Sequence, residues 1–398
     1  MVRFTFYLLM VILTLIGKVK AIAAPIDSLP VITLSGTPYE RGVAHGQKLK
    51  EQIKQVYIKW KQNIEKETKH DPDSIISHFL KTSNYRQAIK KYTPEIWEEV
   101  EGLAAGSGQS INDVFAFQLI DEYWGYLDRL QHNSIDKDHC TAIGIAGNGN
   151  TPTLVAQNID IDNFMNGYQV LLHIKEEKAT PEQFIMSCAG FIGFAGMNNK
   201  NVAVVINALT DLNNSITGLP VTFVTRGILQ QKAPHEALYF VQKVKHATGQ
   251  NYLIGTPDKV YTFEASANQV VQFNPRDNNV VYHTNHSLTN HDVKPWMEEY
   301  HKRILSGQGK QTNSQTRFSS VERQLAAQAL TLNAGNIKQI LSSKENSQSP
   351  ICVSYREEGV AFTFSSVIFS LGNRPMAEIT MGPPDTNTYK KYFLENVR

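Results

Sequence analysis

Asp138-His139-Cys140-Thr141-Ala142-Ile143-Gly144-Ile145 is where this 398-residue chain changes character. On its N-terminal side, residues 38–130 carry apolar side chains at helical spacing. Gln52, Ile53, Val56, Tyr57 and Trp60 share one helix face, 92–105 and 111–120 repeat the pattern, and Ser110 is placed to cap the latter. Residues 131–138 are polar and without period, which predicts a linker or loop. From Cys140 onward the period shortens. Strands are expected at 141–145, 153–156, 169–174, 184–188, 202–206, 252–254, 260–264, 270–273 and 280–283, and again at 351–355, 361–369 and 377–381. Helices are expected at 221–231, 235–245, 295–305 and 319–330. Strands separated by helices predict a layered α+β domain, with Cys140 at its first strand and a helical region before it.

Composition limits what the chain can do. Its 41% hydrophobic content supports a large core, and 39 Lys+Arg against 37 Asp+Glu leave a formal charge of +2. The basic residues are scattered or, as between Lys48 and Lys69, interleaved with Glu51, Glu65 and Glu67. That argues against a nucleic-acid partner, which needs concentrated basic surface. At the N-terminus, Arg3 precedes the apolar run 4–16, and Ala21-Ile22-Ala23-Ala24 follows. This is the layout of a signal peptide over residues 1–23, and it predicts a secreted, periplasmic or lumenal protein. The run is shorter than the roughly 20 residues of a membrane span, so no stable membrane insertion is expected once the signal is removed. Cys140, Cys188 and Cys352 include no CxxC pair, which argues against a cysteine zinc site. Pairing of Cys188 with Cys352 is one arrangement their number allows.

Three features bear on chemistry. If the bond before Cys140 is cut, thiol and α-amine fall on one residue. An α-amine titrating near roughly 7.7–8.0 can then take the thiol proton without a separate histidine. Next, in Gln157-Asn158-Ile159-Asp160, strand alternation sends Asn158 and Asp160 to one face and Gln157 and Ile159 to the other. A hairpin through Gly147–Asn150 brings Asp160 near Cys140, where a carboxylate can hold the ammonium or orient the thiol. Last, His283-Thr284-Asn285-His286, with His291 nearby, is a dense polar cluster after a β run. Asn285 can donate its amide to an oxyanion. A zinc site made of these histidines matches no HExxH pattern. No metal and no cofactor is expected.

Together these residues resemble the peptidase C45 family, the acyl-CoA:6-aminopenicillanic acid acyltransferase-like N-terminal-nucleophile (Ntn) hydrolases. Gly36-Thr37-Pro38-Tyr39-Glu40-Arg41-Gly42 with His45-Gly46 is similar to the family's opening motif, and Gly102-Leu103-Ala104-Ala105-Gly106 to its helical GxAxG segment. Cys140-Thr141, Gln157-Asn158-Ile159-Asp160, the stretch from Gly196 to Leu209, His283-Thr284-Asn285-His286, and Ile351-Cys352 with Glu357-Glu358-Gly359 follow in the family's order. The resemblance implies a four-layer αββα sandwich made as a precursor and cut into 24–139 and 140–398, the two chains remaining associated as one Ntn-hydrolase domain. It implies Cys140 as nucleophile, Asp160 as its acidic partner and Asn285 as oxyanion donor. Two departures stand out. His139 occupies a place that is commonly glycine in the family, and Ala361 stands where the penicillin acyltransferase has a late-strand arginine, with Arg356 and Arg374 only nearby.

The leading reading is an exported, self-processing amidohydrolase of small-molecule acyl or aminoacyl amides. The alternatives are an acyltransferase with the same machinery, a non-cleaving binding protein, and a protease with Cys140 internal and His283 or His286 as base. Tyr123, Trp124 and Tyr126 are candidates to line its pocket or to belong to its core.

Overall fold

The structure, a computed structural model, describes residues 28–131, 140–148, 150–178, 180–273, 279–306, 311–328 and 332–394. The expected signal peptide and His139, on the far side of the proposed cut, lie outside the described residues. Strand β1 (Val31–Leu34) leads into helices α1 (Pro38–Lys48), α2 (Lys50–Thr68), α3 (Pro72–Lys81), α4 (Tyr85–Tyr92), α5 (Pro94–Ser107), α6 (Ile111–Phe117) and α7 (Ile120–Gln131). Local chemistry sets their starts. Thr37 accepts from the Glu40 N–H while the Glu40 carboxylate takes the Thr37 N–H, a capping box followed by Pro38 at the first helical position. Ser110 caps α6 as expected.

Strands β2 (Thr141–Ile145), β3 (Thr153–Asp162), β4 (Gln169–Ile174), β5 (Gln183–Cys188), β6 (Ala195–Asn198) and β7 (Ala203–Ala208) follow. Then come α8 (Val221–Leu229), α9 (Pro234–Lys243), β8 (Gln250–Gly255), β9 (Val260–Ala265), β10 (Val270–Phe273) and β11 (Val280–His283). The chain ends with α10 (Pro295–Leu305), α11 (Asn313–Ala327), α12 (Ala334–Leu341), β12 (Ala361–Leu371), β13 (Met376–Ile379) and β14 (Lys390–Phe393).

Among the described residues the strands form an eight-stranded sheet, β1-β4-β5-β6-β7-β8-β9-β10, and a six-stranded sheet, β11-β2-β3-β12-β13-β14. β2 and β3 lie against β7 and β8, so the sheets meet face to face. A Cβ built on Gly144 would sit 2.9 Å from Leu253 Cδ2, and one on Gly255 2.3 Å from Val155 Cγ2, so glycine permits the close approach. In the smaller sheet, alternation sorts β2, β3 and β12 between two cores. Val155, Ile159 and Ile161 of β3 join the main core, while Leu154 and Ala156 join Val321, Leu325, Ile337, Ile340 and Leu341 in a smaller core under α11 and α12. α8 covers the outer face of the larger sheet at β6 and β7. Helix, sheet, sheet, helix is the expected αββα sandwich. No helix among the described residues is long and apolar enough to cross a membrane.

The structure corrects several local expectations. Residues 351–355 form no strand. Asn158 Nδ2 takes the Ile351 carbonyl at 2.9 Å, and the Cys352 N–H goes to the Ser343 carbonyl at 3.1 Å, which uses up the backbone groups a ladder needs. α11 begins at Asn313 rather than 319, because Thr312 and Gln315 form a capping box. β1, β6, α12 and β14 were not expected. β1 owes its strand conformation to parallel pairing with β4, a tertiary effect that its own four residues do not encode. Cys188 and Cys352 are free thiols, Cys188 in the main core and Cys352 donating to Asp385 Oδ1 at 3.2 Å.

Candidate active site

Cys140 is half-buried at the head of β2, where Thr141 pairs with Asn158 of β3. The hairpin brings Cys140 beside Asp160, as its length predicts. The contact, however, is with the Asp160 backbone: its N–H donates to Sγ at 3.4 Å, and Sγ lies 3.7 Å from its carbonyl oxygen. The Asp160 side chain follows the alternation of β3 toward the smaller core. Across from it β12 is irregular, with Thr363 opposite Asp160 and Ser365 opposite Ile159, a bulge beside the site. Neither Asp160 carboxyl oxygen meets a partner in good hydrogen-bond geometry among the described residues, although the Thr363 hydroxyl stands near it. Burial pushes its pKa up to about 7, against the opposing pull of the Thr363 hydroxyl and the Arg317 charge.

Arg317 is the residue that sequence reasoning missed. It is fully buried on the first turns of α11. Nη1 donates to the Cys140 carbonyl at 2.7 Å and to Thr141 Oγ1 at 2.9 Å, Nη2 to Asn285 Oδ1 at 2.9 Å, and Nε to Asn313 Oδ1 at 2.7 Å. One planar guanidinium thus fixes the nucleophile candidate and the oxyanion candidate relative to each other. The sequence marks the helix start, Thr312 followed three residues later by Gln315, but not that Arg317 is buried there.

Asn285 is held from both ends. Its backbone N–H donates to Ser314 Oγ at 2.7 Å, and Nδ2 donates to the Ala208 carbonyl at the end of β7 at 3.1 Å. Arginine only donates, so the amide oxygen must face Arg317, which settles which way the amide points. The histidines around it are supports. Both His283 ring nitrogens are engaged by oxygens, Nε2 by that of Glu264 at 2.8 Å and Nδ1 by that of Thr284 at 2.7 Å. Glu264 also accepts the N–H groups of Leu288, Thr289 and Asn290 at 2.7, 2.9 and 2.6 Å, anchoring the loop beyond Asn285. Burial opposes ionisation of Glu264, but His283 and these N–H groups outweigh it and hold its pKa below the ordinary value. His286 Nδ1 lies 2.7 Å from Ser314 Oγ, and burial, then the His283 charge, push its pKa down to about 4. With both nitrogens engaged, His283 is available neither as a zinc ligand nor as a free base. Among the described residues no group of three or more His, Cys, Asp or Glu side chains could hold a metal ion.

Of the other residues singled out, Asn158 is a strut, donating to the Leu341 and Ile351 carbonyls at 2.8 and 2.9 Å. Gln157 points to the opposite sheet and bonds the backbone of Ile206. Tyr123 and Tyr126 are buried in the main core. Trp124 instead lines a cavity of about 20 Å³ with Gly125, Ala208, Leu209 and Leu212, beside the carbonyl that Asn285 uses. Arg356 and Arg374 are remote from this network. The Arg356 carbonyl accepts from Asn163, and Arg374 stacks on Phe393.

Comparison with known proteins places the chain in a family. The family model described as acyl-coenzyme A:6-aminopenicillanic acid acyl-transferase matches residues 146–385, a span that begins after Cys140 and contains Asp160, Asn285 and Arg317. The acyl-coenzyme A:6-aminopenicillanic-acid-acyltransferase 40 kDa form of Emericella nidulans is 26% identical over 263 residues, 65% of this chain and 70% of that protein. Among solved structures, a conjugated bile acid hydrolase from Clostridium perfringens is 14% identical over 64% of this chain and 97% of its own, with a TM-score of 0.40. Penicillin V acylase from Agrobacterium tumefaciens is 13% identical over 64% and 86%, also at 0.40. The family match spans more than half of the chain, which therefore belongs to the acyl-coenzyme A:6-aminopenicillanic acid acyl-transferase family.

Proposed function

We propose that this chain is a self-processing amidohydrolase that is cut before Cys140 and cleaves small acyl or aminoacyl amides through a thioester on that cysteine. The observation that carries the reading is the bridge from Cys140 through Arg317 to Asn285. It supports a nucleophile and an oxyanion donor held in one rigid frame. In the reaction, the freed α-amine of Cys140 takes the thiol proton, and the sulfur attacks the amide carbon. Asn285 Nδ2 donates to the resulting oxyanion. The α-ammonium returns its proton to the leaving nitrogen as the C–N bond breaks, giving a free amine and a thioester. Water, deprotonated by the same α-amine, then attacks the thioester and releases the carboxylic acid with the thiol restored. Asp160, buried and without a partner in good hydrogen-bond geometry among the described residues, is suited to hold the α-ammonium.

The signal-like N-terminus favours water or a small amine as acceptor, since coenzyme A is an intracellular donor. The segments before and after the cut are expected to stay together. Glu99 and Arg226 pair through both oxygens at 2.8 and 2.9 Å, Lys294 meets Asp128 at 2.9 Å, and β1 is paired with β4. The Emericella relative favours a second reading, acyl transfer from a thioester to an amine, on the same residues.

The test is an acyl-amide panel with and without thioester donors, run with the wild type and Cys140→Ser, with the acyl-enzyme trapped by rapid quench and weighed. Amide cleavage with an acyl mass on the chain beginning at Cys140 supports the reading. Turnover that persists in a Cys140→Ala variant contradicts it. Turnover only with thioester donor and amine moves the second reading ahead.

A further inference from the structure

The opening motif and the GxAxG helix, which the proposed reaction does not use, meet at a buried charge cluster. Arg41 and His45 of α1, Glu99 of α5 and Arg226 of α8 are each at most 1% exposed. Arg226 clasps Glu99 with both terminal nitrogens and reaches the Ile192 carbonyl at 2.9 Å. Arg41 donates Nη1 to the Gly36 carbonyl at 2.9 Å, and its Nε stands 3.5 Å from Glu99 Oε2. His45 Nε2 accepts the Gly190 N–H at 3.2 Å, so that nitrogen carries no hydrogen and the neutral ring carries it on Nδ1. Burial pushes the His45 pKa down to about 4, which keeps the ring neutral. Burial opposes ionisation of Glu99, but Arg226 and then Arg41 outweigh it, and its pKa lies below the ordinary value.

Two consequences follow. Two guanidinium groups face one carboxylate, leaving one positive charge out of contact with water, a costly arrangement unless it is compensated. In addition, Arg41 Nε and Nη2, Arg226 Nε and His45 Nδ1 have no hydrogen-bond partner among the described residues. Every one of these atoms is a donor. A water molecule accepts about two hydrogen bonds and brings no charge, so it answers neither need. An anion answers both.

We propose that Arg41, His45 and Arg226 hold a small inorganic anion, with chloride the natural occupant. The walls are rigid, because α1 and α5 touch backbone to backbone. A Cβ on Gly42 would lie 2.0 Å from the Glu99 carbonyl oxygen, and one on Gly102 2.1 Å from that of Tyr39. Such a cradle suits a monatomic ion. It also joins α1 and α5, before Cys140, to α8, after it, so the anion stabilises the contact between the two segments whether or not the chain is cut.

Crystals of the full protein grown in bromide test this directly. An anomalous peak within hydrogen-bond reach of Arg41 Nη2, Arg226 Nε and His45 Nδ1 is the expected result. Density of water strength with no anomalous signal there overturns it. Thermal unfolding in halide against gluconate at fixed ionic strength reads the consequence: a logarithmic rise on the order of 2 °C per tenfold halide above its Kd. Arg41→Gln removes the surplus charge and should abolish that response. A halide response that survives in this variant overturns the assignment, and if the variant fails to fold, the bromide peak in the wild type decides.

Discussion

The side-chain oxygen of Asn285 accepts a hydrogen bond from Arg317 Nη2 at 2.9 Å, while the other terminal nitrogen of the same arginine holds the Cys140 carbonyl at 2.7 Å. One Asn285 amide hydrogen goes to Ala208. In the proposed reaction the second is left to donate to the oxyanion. Replacing Asn285 by Ala or Asp should lower kcat by roughly 10²–10³-fold with a much smaller change in KM, the usual cost of losing one oxyanion donor. Asn285→Asp separates catalysis from packing, because it keeps the contact with Arg317 but loses the N–H. Its unfolding midpoint should stay nearer the wild type than that of Asn285→Ala while its kcat falls as far. Comparable activity in Asn285→Asp and wild type would remove Asn285 from the reaction.

Arg317 acts through its neighbours, so its variants should differ in kind. Arg317→Lys keeps a charge but cannot span Cys140, Thr141 and Asn285 at once. Its kcat should fall about ten- to a hundredfold with stability also reduced, and steady-state kinetics beside urea unfolding will show both. An Arg317→Lys enzyme with wild-type kcat would mean that the bridge does not position the reacting groups.

Asp160 makes a pH prediction. In the uncut Cys140→Ala protein, burial raises its pKa from an ordinary 3.8 to about 7, so across that window the folded chain keeps a proton that the unfolded chain releases. The associated stability is fully present below about pH 4, falls as pH rises through about 7, and levels off above. Glu122, whose pKa burial also pushes up to about 7, contributes with the same sign. His45, His246 and His286, all pushed down to about 4 with burial as the largest cause, act oppositely, weakening the fold as pH drops below the ordinary value of 6.5. The comparison must therefore be differential. Adding Asp160→Asn to Cys140→Ala should flatten the loss of stability between pH 4.5 and 7.5, measured by urea unfolding. Parallel curves would show that Asp160 is not a buried neutral acid before processing.

The crossing of α1 and α5 tolerates no side chain at Gly42, Gly46, Gly102 or Gly106, where an added Cβ would fall 2.0–2.4 Å from the partner helix backbone. Gly42→Ala should cost about 3 kcal/mol or more, because backbone rather than a mobile side chain has to yield. Urea unfolding checks this, and a loss under about 1 kcal/mol would contradict the tight crossing.

These glycines show how much of the molecule the sequence carries. Gly42 and Gly46, and Gly102 and Gly106, could be read as motif residues, but the motif did not say that they are two halves of one contact. β2, β10 and β11 have the bounds read from the sequence, since short β-rich runs closed by turn residues mark their limits locally. β1 and β14 did not, because each owes its strand conformation to its pairing, β1 with β4 and β14 with β13, rather than to a pattern of its own. Cys140, Asp160 and Asn285 could be singled out by residue type. Arg317 could not, since nothing in a lone arginine says that it will be buried under a cysteine 177 positions earlier. His283 was read as a possible base or ligand. Its actual work, clasped between Glu264 and the Thr284 carbonyl, depends on a strand pairing invisible in its own segment.

The most direct test of the central claim is intact mass and N-terminal sequencing of the purified protein beside Cys140→Ala. The account predicts two co-eluting fragments in the wild type, one starting at Cys140, and a single chain uncut at that bond in the variant. One uncut chain in both, with amide-cleaving activity retained by the wild type, would contradict an N-terminal nucleophile at Cys140.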